Sequence, residues 1–70
     1  MILGIPNNIE NYVCVKSVDA EKLHKIGYIP LYREINKDRI YFLKTEEICE
    51  TIKAIGCDVC FIGKEDSNFG

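Results

Sequence analysis

The sequence YIPLYREINKDRIYFLK at residues 28–44 decides the fold. Three polar residues, Asn36 to Asp38, separate two runs in which aromatic or charged side chains alternate with aliphatic ones. Side chains alternate between the two faces of a strand with period two, and a short polar loop between such runs is typical of a β-hairpin. The stretch therefore predicts strands at 28–35 and 39–44. Pro30 cannot donate a ladder hydrogen bond, which favours an edge position or an irregularity in the first strand.

The same alternation occurs upstream, in YVCVK at residues 12–16. Val13 and Val15 have one parity and Cys14 and Lys16 have the other. The three strands together predict a sheet with one aliphatic face and one face rich in tyrosine. All four tyrosines of the chain are expected on that second face: Tyr12, Tyr28, Tyr32 and Tyr41.

Two short helices are predicted from apolar spacing and from their caps. The first is expected to begin at Asp19 as N-cap, with Val18 and Leu23 as a hydrophobic staple, and to end at Gly27. The second follows the N-cap Thr45 and ends at Gly56. Helices this short are stable only when they pack on something else. Their expected buried residues are Leu23, Ile26, Ile48, Ile52 and Ile55.

Residues 57–62 form a last apolar run of strand length, which completes the order β-α-β-β-α-β. That order predicts a ferredoxin-like α+β fold, an antiparallel sheet with both helices on one face. The alternative is a three-stranded βαββα unit, if 57–62 is coil. We expect an N-terminal arm at 1–11, a single domain at 12–62 and a flexible tail at 63–70.

Composition limits the partners that the chain is expected to bind. A net charge of −2 gives no basic surface for duplex nucleic acid or for an anionic membrane. The apolar start is interrupted by Pro6 and is too short for a signal peptide or a membrane span, so a cytoplasmic location is expected. A domain of 70 residues has a marginal core, which favours a protein partner or a homodimer.

The spacing Cys57-x-x-Cys60 is the one motif in the sequence that is typical of redox or metal-binding sites. In an extended segment its two Cα atoms would lie about 10 Å apart with opposed side chains, which is too far for a disulfide. His24 is the only histidine and has no partner in a nucleophile motif. We therefore predict no enzymatic activity, no cofactor and no metal site. A thiol or zinc protein that uses Cys57 and Cys60 remains an alternative.

The tyrosine-rich face is the predicted binding surface. Tyrosine and arginine are enriched at protein-interface hot spots, so a protein partner, foreign or self, is expected there. One alternative is a nucleotide- or RNA-binding module that stacks bases on the sheet, and another is that tyrosine simply suits an exposed sheet face. An arm that covers this face would make it part of a core instead. The predicted contacts are Tyr28, Tyr32, Tyr41 and Arg39, with Tyr12 and Lys16 secondary.

Two segments carry a family resemblance: LHKIG at residues 23–27 and FLKTEE at residues 42–47. In this respect the region 12–55 resembles small uncharacterised proteins of Firmicutes and their phages, with a βαββα core. The resemblance implies a fold and a phage origin, and it supplies no catalytic residue. Small phage proteins of this kind often act as non-enzymatic inhibitors that occlude a host protein, including defence proteins. The expected function is therefore a protein-interaction or inhibitor protein.

Overall fold

Five strands and two helices make up the computed structural model, which describes residues 1–62. The fold is α+β, and neither helix in this range is long and apolar enough to cross a membrane. The tail predicted at 63–70 lies outside the described residues. The elements are β1 (Ile2–Leu3), a 3₁₀ turn (Ile9–Asn11), β2 (Tyr12–Val15), α1 (Ser17–Ile26), β3 (Tyr32–Glu34), β4 (Arg39–Leu43), α2 (Glu46–Ile55) and β5 (Val59–Ile62).

The strands form one mixed sheet in the order β1-β3-β4-β2-β5. The hairpin β3–β4 and both pairings of β2 are antiparallel, whereas β1 pairs in parallel with β3. The three-stranded alternative is wrong, because β5 pairs with β2 and the N-terminal arm adds β1 at the opposite edge. The arm was not expected to enter the sheet, since two residues give no readable alternation.

The aliphatic face of the sheet is covered by both helices. Val13 and Val15 of β2 and Phe42 of β4 pack against Leu23 of α1 and Ile48 of α2, and all five side chains are at most 1% exposed. This helix-covered core confirms the predicted parity of β2 and β4. Ile26 and Ile55 were expected to be buried with them, but Ile26 is 54% exposed and Ile55 is 37% exposed. Both lie in the last turn of a short helix, beyond the edge of the core.

Helix α1 begins two residues before the predicted N-cap. Lys16 occupies the N-cap position, and the backbone N–H of Ser17 donates to Asp38 Oδ1 at 3.1 Å. The loop of the β3–β4 hairpin therefore supplies the acceptor that a local N-cap side chain would have provided. The predicted staple is also wrong, because Val18 is 59% exposed. A cap from a residue 21 positions away leaves no local signal in the sequence.

Asp19 has a different role from the predicted one. Its side chain is buried in the first turn of α1, where Oδ2 accepts the backbone N–H of Asp58 at 3.0 Å. Oδ1 lies 3.6 Å from the Lys22 ammonium, one turn further along the helix. A buried carboxylate is stable only when it is paired or hydrogen-bonded. Asp19 thus ties the start of α1 to the segment that leads into β5.

Helix α2 begins and ends as predicted. The Thr45 hydroxyl accepts the backbone N–H of Ile48 at 3.1 Å, and Glu46 and Glu47 lie in the first turn, where the helix dipole favours carboxylates. Gly56 follows the last turn with φ of +74°, a left-handed conformation that glycine adopts without a Cβ clash. These signals were readable because each acts within a few residues of the helix end.

The first strand of the hairpin is much shorter than predicted. It covers Tyr32–Glu34 and not the whole of 28–35. Because Pro30 lacks an N–H, ordered pairing with β4 begins after it, with the Leu31 N–H donating to the Tyr41 carbonyl at 2.9 Å. The alternation predicted for 28–31 therefore fails. Ile29 is 68% exposed, and Leu31 packs on the face opposite the helices.

Candidate functional site

The sheet face opposite the helices carries a compact aromatic cluster. Tyr12, Cys14 and Tyr41 are buried there and form what we call the tyrosine cluster. Ile9 of the 3₁₀ turn and Leu31 pack against it. The N-terminal arm thus covers part of the face that was predicted to be open. Tyr12 is 9% exposed and Tyr41 is 2% exposed, so neither presents its ring to solvent in this conformation.

Tyr32 completes the cluster at its edge. Its ring meets that of Tyr12 in a T-shaped arrangement, with centroids 5.5 Å apart and an interplanar angle of 89°. Tyr32 is also the register partner of Tyr41 across the β3–β4 hairpin. Edge-to-face aromatic pairs are worth about 0.5–1.5 kcal/mol beyond the area that they bury. The pair therefore helps to hold β3 against the central strands.

The polar atoms of the cluster are tied to one another. The Tyr41 hydroxyl donates to Glu34 Oε1 at 3.2 Å. Burial, together with the neighbouring Cys14 thiol and Glu34 carboxylate, raises the pKa of Tyr41 to about 12. Burial likewise raises the pKa of Cys14 to about 11. Both groups are consequently neutral at physiological pH, and neither is an activated base or nucleophile.

Tyr28 does not belong to this cluster, which corrects the prediction that all four tyrosines share one face. It lies outside the strands and packs against the helix-covered core. Its hydroxyl is 2.9 Å from Thr51 Oγ1 of α2, and Thr51 in turn donates to the Glu47 carbonyl. The residues before Pro30 do not continue the strand, so their side chains do not follow its alternation.

The six predicted contact residues therefore fall into different environments. Tyr12 and Tyr41 are buried, and Tyr32 and Arg39 are half-buried beside them. Lys16 is exposed beyond the end of β2, and Tyr28 is half-buried on the helix side. Their role as partner contacts stays a prediction. The flat, open tyrosine surface on which that prediction was based is not present among residues 1–62.

An apolar groove lies on the other side of the sheet, beside α1. It has a volume of about 680 Å³ and is lined mainly by Met1 of the arm, Val18 of α1, Pro30 and Ile40. Glu21 and His24 form its polar rim on the helix. Met1 is 65% exposed and Val18 is 59% exposed, so the groove presents apolar surface to solvent. None of these residues was predicted as a contact.

The groove results from the width of the sheet. A helix is about 10 Å across and strands are about 4.8 Å apart, so two helices cover about four strands. The fifth strand, β1, extends the sheet beyond α1, which packs on β4. Leu3 is paired with Arg33 and lies on the helix side, because its neighbour Ile2 is paired with Tyr32 of the tyrosine side. Leu3 is 63% exposed there.

The cysteines are all free thiols. Cys57 is half-buried against the helix-covered core, and burial raises its pKa, whereas Cys60 is exposed on β5. Within residues 1–62, no three His, Cys, Asp or Glu side chains are grouped as metal ligands would be. Sequence reasoning treated Cys57 and Cys60 as the relevant pair and missed the contact between Cys60 and Cys14.

Comparison of this chain with protein-family models, with curated proteins and with solved structures finds no match.

Proposed function

We propose that this protein is a non-enzymatic protein-interaction module that binds an apolar helix of a partner protein in the groove beside α1. One observation carries the proposal. The helix layer is about one strand narrower than the five-stranded sheet, and Met1 and Val18 in the groove, together with Leu3 of β1, are exposed to solvent. Contiguous exposed apolar surface of this kind is typical of interaction sites.

The shape of the groove favours a helix as its occupant. Residues of α1 form one side of the groove, and Met1, Pro30 and Ile40 form the other. A partner helix with apolar residues at spacings of three and four would bury them against Met1, Val18 and Pro30. Glu21 and His24 would then border the interface as its polar rim.

A ferredoxin-like core is the finer description that we propose for the fold. The antiparallel strands β3-β4-β2-β5, with α1 after β2 and α2 after β4, support it. Each helix connects two strands that have another strand between them, which is the split βαβ arrangement. In this description β1 is an addition to the core, and the groove is a consequence of that addition.

The wider biological setting rests on the sequence. We propose a cytoplasmic protein of phage origin that inhibits a host protein by occupying one of its helices. Binding without chemistry agrees with the raised pKa values of Cys14 and Tyr41, which leave neither group ionised near neutral pH.

The test compares two exposed apolar positions. Val18→Asp places a charge in the groove, whereas Ile35→Asp places it in the hairpin loop, where the side chain is 68% exposed. A carboxylate in an apolar interface should weaken binding about tenfold or more. Immobilised wild type and both variants are used to capture host proteins, and each captured protein is purified and re-bound by calorimetry.

The proposal predicts a partner that binds wild type and Ile35→Asp, is lost with Val18→Asp, and binds as an isolated apolar helical peptide. Equal binding by both variants would show that the groove is not the contact surface. Light scattering over a concentration series gives the remaining outcome. A dimer that Val18→Asp splits would assign the groove to a second copy of this chain, against a foreign partner.

A further inference from the structure

A β-bulge places Cys60 beside Cys14. Across the β2–β5 pair, Cys14 is opposite Phe61 and Val15 is opposite Val59, so the register shifts and Cys60 is the extra residue. Val59 packs toward the helix-covered core, and Cys14 points to the tyrosine cluster on the other face. In a bulge two residues on one strand oppose a single residue on the other. Because Val59 packs toward the helix-covered core, its neighbour Cys60 is turned to the opposite face of the sheet, which is the face of Cys14.

The interaction between these thiols is visible in the environment of Cys14. After burial, the charge of the neighbouring Cys60 thiol is the next largest cause of the raised pKa of Cys14. The two differ sharply in access, since Cys14 is 1% exposed and Cys60 is exposed. Cys57, the sequence neighbour of Cys60 in the CxxC spacing, lies instead against the helix-covered core. The structure therefore contains one accessible thiol next to one sheltered thiol.

We propose that Cys14 and Cys60 form a reversible cross-strand disulfide that fastens β5 to β2, by exchange with a low-molecular-weight disulfide. In the first step the Cys60 thiolate attacks one sulfur of that disulfide, forms a mixed disulfide and releases one small thiolate. In the second step the Cys14 thiolate attacks the Cys60 sulfur and releases the second small thiolate. Two protein thiols are oxidised, one external disulfide is reduced to two thiols, and the two protein protons pass to those leaving thiolates.

The backbone geometry suits this bond. Residues that face each other in an antiparallel pair have Cα atoms about 4.5–5.5 Å apart, and disulfides require about 4.4–6.8 Å. Cys60 is the extra residue of the bulge and is the chain neighbour of Phe61, the register partner of Cys14. Cys57 and Cys60 have no such arrangement, because Asp58 and Val59 separate them along one chain.

The solvent exposure of each thiol determines the order of the two steps. The exposed Cys60 meets the external disulfide first, and Cys14 reacts only with a sulfur that is already beside it. Burial raises the pKa of Cys14 to about 11, so its thiolate is scarce at neutral pH and the second step is the slow one. Closure should consequently become faster as the pH rises toward that value, while the first step follows Cys60 alone.

The test uses oxidised glutathione as the probe, with intact-mass measurement, thiol titration and peptide mapping. Wild type should lose two of its four free thiols and yield a Cys14–Cys60 cross-linked peptide. Cys57→Ser should behave as wild type, and Cys60→Ser should form no internal disulfide. Because Cys60 is exposed, its replacement by serine leaves the fold intact, which circular dichroism checks.

A third variant distinguishes the two steps. Cys14→Ser should accumulate the glutathione mixed disulfide at Cys60, whereas wild type should pass through that species. A Cys57–Cys60 link, a stable mixed disulfide in wild type, or four thiols that persist after prolonged incubation would each overturn the proposal. Oxidised wild type should also unfold at a higher denaturant concentration than reduced wild type, and Cys60→Ser should show no such difference.

Discussion

The helix-covered face of the sheet is closed by two ten-residue helices, whereas the tyrosine cluster is covered in part by the 3₁₀ turn of the N-terminal arm. The first cover buries mainly aliphatic side chains, with Phe42 among them. The second buries a thiol and two phenols, whose hydrogen atoms need partners such as Glu34. The stability of the helix-covered face therefore depends on close packing, whereas that of the tyrosine cluster also depends on hydrogen bonds to its buried polar groups.

The largest effect should come from removing volume from the helix-covered face. Leu23→Ala takes a side chain with no solvent exposure out of the contact between α1 and the sheet. The expected loss in the free energy of unfolding is about 2–5 kcal/mol, a large part of the stability of a small domain. Urea unfolding followed by circular dichroism measures it.

Ile26→Ala is the matched control on the same helix, because Ile26 is 54% exposed. It should cost well under half as much as Leu23→Ala. Equal losses at the two positions would mean that α1 does not pack as described, and the contrast between the faces would then lose its basis.

Alkaline pH should reduce the stability that the tyrosine cluster contributes, because its buried groups titrate there. The folded-state pKa values of Tyr41, about 12, and Cys14, about 11, lie above their ordinary values. Both groups release their protons more readily in the unfolded chain. Their contribution to stability is therefore complete below about pH 9 and is lost as the pH rises through 11 and 12.

Tyr41→Phe isolates the contribution of one residue to this loss of stability at high pH. At neutral pH it removes the hydrogen bond to Glu34, at a cost of about 0.5–1.5 kcal/mol. Above pH 10 the variant should lose stability less steeply than wild type, in urea unfolding at a series of pH values. If the free energy of unfolding fell equally with pH in wild type and Tyr41→Phe, the pKa of Tyr41 would not be raised by burial.

The smallest of these effects should come from truncating a side chain of the N-terminal arm that packs on the tyrosine cluster. Ile9→Ala removes part of a half-buried side chain that packs on it, so the expected loss is on the order of 1 kcal/mol. Ile5→Ala, at a position 54% exposed in the same arm, is the control and should be close to neutral. A cost for Ile9→Ala as large as that for Leu23→Ala would make the two covers equivalent.

The parts of the fold that sequence reasoning predicted correctly are those encoded locally. The alternation at 12–15 and 39–43 gave the parity of β2 and β4, and Thr45 and Gly56 gave the ends of α2. Each signal lies within a few residues of what it determines. The α+β class followed from the order of these elements.

The parts that were missed are those set by distant residues. The cap on α1 comes from Asp38, and the position of β1 depends on a free edge of β3. A bulge beside Cys14 carries no sequence signal, so the neighbour of that thiol could not be named in advance. The burial of Tyr12 and Tyr41 follows from an arm whose path the pattern left open. For these reasons the candidate site was less predictable than the core.

The central position of β2 has a consequence for the order in which the fold is assembled. Val13 pairs with Phe42 on one side and with Ile62 on the other, so the first long strand of the chain has no sheet partner when it is made. At about 5–20 residues per second, β2 waits seconds on the ribosome for β4 and again for β5. The Asp19 contact with Asp58 can form only once residue 58 has been added. A nascent chain halted before residue 59 therefore lacks one edge of its sheet, and a partner present at that time meets an unpaired strand.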